Sequence, residues 1–288
     1  MDAQLPAGSD DPDIVGSNAW AALGGLPMSL AQKIRYLLEA NLAYLEELPG
    51  ELRWVLSSRG LFPPARVPEV GVEGLPDTPA VGLAIRALEQ YAEGEREIVG
   101  HSYRTFYFAD LLHRQESSPM PMDREVLAVA TLLHDVGIFP KAVAELPGND
   151  FTVRGANLAR HVLQQAGWSA HRIDLAAQAI TINAAALVRR HWGAEAYFAR
   201  LAPLVDVVGQ CWKIHAGDAR EVFARYPAPG VVPAIMDAVR AEARRHPDGR
   251  FALVKPIFPF LMMNCECRWH HRLGIAGGQQ SRAATWRG

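Results

Sequence analysis

The sequence predicts an all-α fold, a helical bundle, on three observations. Apolar residues recur at three- and four-residue spacing along most of the chain, alternating strand patterns are missing, and the longest Pro- and Gly-punctuated stretch, 57–79, lies between two helical patterns. In order, SLAQKIRYLLEANLAYLEEL from Ser29 places Leu30, Ile34, Leu37, Leu38 and Leu42 on one stripe with Ser29 as N-cap. PAVGLAIRALEQYAEG from Pro79 carries Pro at its start and Gly after its end. DREVLAVATLLHD from Asp123 opens on a capping acid and is apolar on nearly all sides, which marks it as central and buried. Further helical patterns cover 154–167, 169–187, 193–211 and 230–246.

The 288 residues, 49% of them hydrophobic, suffice for one large core. The expected division is a flexible segment at 1–27, a single helical domain over 28–264 and a C-terminal tail at 265–288, Gly-rich and polar from 274. A formal charge of -2 offers no general attraction to nucleic acid or an anionic membrane, so the expected partner is a small-molecule substrate. The first twenty residues hold acids where a secretory signal needs a basic and then an apolar region, no run reaches membrane-spanning length, and three cysteines make no disulfide framework. A cytoplasmic location is the expectation. The apolar run FALVKPIFPFLMM at 251–263 reads as core or as the face of a homodimer.

Within TLLHDVGIF, 131–139, an imidazole and a carboxylate stand side by side at the end of the buried helix. Burying them is costly unless something holds them, and a divalent cation is the natural object. Two more candidate ligands flank the pair. His101 opens a helix in GHSYRTFYFADLLH, and Asp206 interrupts the apolar face of LAPLVDVVGQCW. His101, His134, Asp135 and Asp206 make an H...HD...D series on three helices, four N/O donors for one divalent ion, with zinc foremost and iron or manganese also suited. The motif CECRWHH, with Cys265, Cys267, His270 and His271, lacks the spacing and the second cysteine pair of a structural zinc site.

The order and spacing resemble the HD-domain metal-dependent hydrolases. HSYRTFYFA, LLHDVGIF, FTVRGANLARHVL and GAEAYFARLAPLVDVVG are similar to the cyanamide hydratase branch, over about 75–245. The resemblance implies an all-helical HD-type bundle, a metal held by His101, His134, Asp135 and Asp206, and addition of water to cyanamide to give urea. Where the family carries a histidine in a stretch like AIxxH, this chain has AITIN with Asn183, which hydrogen-bonds but is a poor transition-metal ligand. Asp135 is then the candidate proton relay, and Asn183 and Arg104 are candidates for orienting substrate. Two other readings stand beside this one. A phosphohydrolase would draw a basic pocket from Arg104, Lys141 and Arg154, and a catalytically inactive binding or partner protein would keep the fold alone.

Overall fold

Asp123 turns an extended stretch into a helix by accepting the Glu125 and Val126 backbone N–H groups on its side chain. From that cap runs α5 (Arg124–Leu133), whose residues from Val126 to Leu133 are all fully buried. The computed structural model describes residues 9–25, 27–256, 262 and 265–274, with the side chains of 266 and 267 left out. Among these residues there are helices and turns and no strand. The helices around α5 are α3 (Pro79–Ala92), α4 (Arg96–Arg114), α7 (Phe151–Gln165), α8 (Ala170–Ile182) and α9 (Ala194–Pro203), and each of the five touches it. No described helix is long and apolar enough to cross a membrane.

Two short helices, α1 (Asn18–Ala22) and α6 (Pro140–Glu145), and a long one, α2 (Leu30–Ser58), fill the N-terminal half of the shell. Its C-terminal half holds α10 (Ala216–Arg225), α11 (Val231–Arg245), α12 (Arg250–Val254) and α13 (Cys265–Leu273). Buried ion pairs pin the shell down. Arg154 on α7 reaches Glu242 on α11 at 2.7 Å, and Arg250 on α12 holds Asp150 at 2.7 Å and the Thr152 hydroxyl at 2.6 Å. Breaking such a pair on one side leaves an uncompensated charge, so each fixes its helix strongly.

The expected wandering N-terminus is corrected over 9–25. Ser17 caps α1, the Asn18 N–H donates to Gln178 Oε1 at 2.9 Å, Gln178 returns a bond to the Gly16 carbonyl, and Trp20 is buried. Residues 1–8, 257–261 and 275–288 lie outside the described residues, as does most of the expected apolar run beyond 256 and the Cys267 side chain. The connector 57–79 is also docked. Its backbone is held by Arg114 and Arg124 at Val70, Gly71, Glu73 and Gly74, and by the Asp218 carboxylate, which accepts the Val70 and Gly71 N–H groups.

The largest departure from expectation is α2. Ser29 and Gln32 form the capping box that the sequence invites, but the helix continues through Pro49 to Ser58. Its leucine stripe faces away from the core, and Tyr36 is its one buried residue.

Candidate metal centre

His101 lies in the second turn of α4, not at its start, because α4 begins at Arg96. The ring is 2% exposed and its Nδ1 donates to Asp206 Oδ2 at 2.7 Å. His134 ends α5, is equally buried, and donates its Nδ1–H to the Thr131 carbonyl at 2.6 Å. A carboxylate and a carbonyl only accept, so both rings keep the proton on Nδ1 and present bare Nε2 lone pairs. Those lone pairs point to one place. His101 Nε2 is 3.6 Å and His134 Nε2 3.1 Å from Asp135 Oδ2, with the two rings edge to face at 5.3 Å.

His134 Nε2 is buried, makes no hydrogen bond, and has the Asp135 carboxylate as a close polar neighbour in the group. Three electron-rich atoms therefore converge on one point. The group His101, His134 and Asp135 can hold a metal ion, and neutral imidazoles with a carboxylate suit a divalent one. The electrostatics show that this buried pair favours positive charge beside the carboxylate. Burial disfavours the charged form of His134, but the Asp135 carboxylate, joined by the Thr131 carbonyl and Asp206, outweighs it and raises the ring's pKa. Burial likewise disfavours ionised Asp135, and His134 and His101 together outweigh it to hold the acid below its usual range.

Behind His101 stands a second layer. Asp206 receives Arg104 Nε at 2.8 Å on Oδ1 and Nη2 at 2.9 Å on Oδ2, a two-pronged grip on a guanidinium with no solvent exposure. The burial that would raise the acid's pKa is overcome by Arg104 and His101 together, which bring it down to about 2. Three of the four expected ligands therefore meet, and the fourth is held differently. The structure gathers His101, His134 and Asp135 and places the Asp206 carboxylate one shell out, on Arg104 and His101 Nδ1. Arg104, expected near substrate, spends its remaining Nη1 on the Tyr226 and Pro227 carbonyls.

Asp206 sits in a π-turn, Leu204–Val208, where α9 gives way after Pro203. Proline has no N–H and leaves the carbonyl four residues back without its helical donor. That carbonyl belongs to Ala199, and Asn183, at the end of α8, donates Nδ2 to it at 2.6 Å. The amide expected to face substrate therefore repairs α9. From the far side, α13 secures the π-turn through the Cys265 thiol, which donates to the Asp206 carbonyl at 3.0 Å, and the Trp269 indole, which donates to the Val205 carbonyl at 3.2 Å.

Sequence reasoning missed Gly155. A Cβ there would come within 2.8 Å of the Leu133 carbonyl, so glycine lets α7 press against the turn that carries His134. Its signal is a small residue one turn into an apolar helix, too common to single out. The basic residues of the phosphoester reading do not form a pocket. Arg154 is spent on Glu242 and the Gly137 and Gly148 carbonyls, Lys141 lies 3.3 Å from Glu93, and Arg104 is enclosed. Two surface cavities, of ≈ 160 and ≈ 190 Å³, are lined by other residues than the converging group.

The fold and site define a helical protein with a buried His–His–Asp group able to hold a cation. Residues 98–208 match the family model of the HD domain, a span that begins three residues before His101 and ends two after Asp206. That family consists mostly of metal-dependent hydrolases, so the match indicates a metal-dependent, hydrolase-type function. No curated protein matches the chain.

Proposed function

We propose that this protein is a metal-dependent hydratase or hydrolase of a small, uncharged molecule, with the nitrile-type carbon of cyanamide, converted to urea, as the leading substrate. The observation that supports the reading most is the convergence of three bare donors, with His134 Nε2 buried and unpartnered. The absence of a free basic residue among Arg104, Lys141 and Arg154 favours a neutral substrate over a phosphoester.

In this reading His101, His134 and Asp135 hold one divalent ion, and Asp206 fixes the His101 tautomer and strengthens it as a donor. The ion supplies a Lewis acid that acidifies water and polarises the substrate. Asp135, whose side chain alone of these groups is 12% exposed, can take a proton from the attacking water and return it to the substrate nitrogen. The water oxygen bonds to the carbon as one C–N π bond opens, the nitrogen gains that proton to give isourea, and the remaining O–H proton passes to the same nitrogen as the C=O forms, giving urea. The buried Arg104 keeps Asp206 ionised, so the carboxylate stays an acceptor for His101 Nδ1–H and holds the ring with Nε2 toward Asp135.

The test is elemental analysis of protein purified without chelator or nickel resin, wild type against His134→Ala, followed by assays on cyanamide and on generic phosphoesters. About one equivalent of zinc, iron or manganese in the wild type, its loss in the variant and a rate drop of roughly 100-fold or more are expected. Phosphate release from phosphoesters without cyanamide turnover would overturn the substrate, and an equal metal content in the two proteins would overturn the ligand role of His134.

A further inference from the structure

The long helix α2 is amphipathic the wrong way round for a lone surface helix. Four of its seven charged side chains pair with the body: Lys33 with Asp248, Glu46 with Arg189, Glu47 with Lys213 and Glu51 with Arg268. Its leucines are turned to solvent. Ile34, Leu38, Asn41, Leu45, Leu48 and Leu52 are all exposed and follow one another in alternating four- and three-residue steps. That rhythm is a coiled-coil seam, two apolar positions per heptad, here with one polar residue in its middle. Leu30, Leu37, Leu42 and Tyr44 widen the seam on either side.

We propose that this seam is the interface with a second copy of this chain, α2 against α2 across a two-fold axis. The scale fits. The exposed apolar surface of these side chains is comparable to the roughly 800 Å² per partner that a stable interface buries and exceeds the about 300–600 Å² of the largest patch on a typical monomer. A self-complementary stripe on one helix is what an isologous dimer requires, and a single Asn41 at a seam position fixes the register of such a pair.

Other occupants fit less well. The helix carries four acidic against three basic residues, so an anionic membrane is not attracted to it. Residues 1–8 and 275–288 hold too few large apolar side chains to cover the stripe. The run 257–264 spans at most about 29 Å when extended, less than the roughly 33 Å of helix from Leu30 to Leu52.

The test is sedimentation of the full chain over a concentration series, with circular dichroism as the folding control. Wild type is expected at twice the mass of one chain down to micromolar concentration. The variant Leu38→Glu with Leu45→Glu is expected to have the same helix content and to dimerise at least roughly 100-fold more weakly. Asn41→Leu is expected to tighten assembly or enlarge it, because the polar residue that specifies register is gone. A wild type of single-chain mass at the highest soluble concentration would overturn the proposal. So would dimerisation of the double variant at wild-type strength, or flotation of a single-mass wild type with uncharged phospholipid vesicles.

Discussion

Two apolar helices of this molecule, α5 and α2, meet opposite fates. Both are capped by the residue the sequence designates, Asp123 and Ser29, and both carry a clear apolar pattern. Five helices enclose α5, and it ends on the converging His–Asp group, whereas α2 turns its leucines outward. The difference teaches that periodicity reports a face that wants cover and says nothing of who covers it. What separates the two is polarity in the neighbourhood. The surface of α5 is apolar all round and admits only other helices, while α2 has a charged flank that finds ion pairs on the body and thereby commits its apolar flank to the outside.

The sharpest way to probe the buried side is at its second layer. Arg104→Ala would strand the Asp206 carboxylate without its guanidinium, and a loss of about 3–5 kcal/mol in urea unfolding is expected. A loss within about 0.5 kcal/mol, the range of an ordinary surface change, would mean that Asp206 finds another partner. Next comes the core itself. Leu127→Ala in the fully buried middle of α5 should cost about 2–5 kcal/mol, the price of a cavity among packed helices. Smallest is the matching change on α2. Leu45→Ala, measured on protein dilute enough to be monomeric, should leave stability within about 0.5 kcal/mol of wild type. Comparable losses from Leu127→Ala and Leu45→Ala would erase the contrast between the two helices and place the α2 stripe in a core after all.

Much of this was legible in the sequence because it depends on local chemistry. The all-helical fold, the caps at Ser29 and Asp123 and the buried centrality of α5 follow from side chains a few positions apart. The pairing of His101 with His134 and Asp135 was legible from residue type and order. The layer to which each acid belongs was not. Asp135 and Asp206 are alike as letters, and what divides them is Arg104, whose fork captures Asp206 from another helix. Asn183 illustrates the same limit. Its partner is a carbonyl sixteen residues on that is left open by Pro203, so a backbone vacancy and not a side-chain pattern dictates its position. The orientation of α2 was illegible for a third reason, since its charged residues pair with groups more than a hundred residues distant.

The π-turn at Leu204–Val208 makes chain length itself a variable at this site. A π-turn accommodates one residue more than a regular helix would along the same path. Removing a single residue from 204–208 would therefore let α9 continue in regular register with little change in where Gly209 must arrive, yet it would swing the acid by roughly 100° about the axis, away from both Arg104 and His101. Substitutions at this turn tune the site, whereas the loss of one codon would keep the fold and disconnect it.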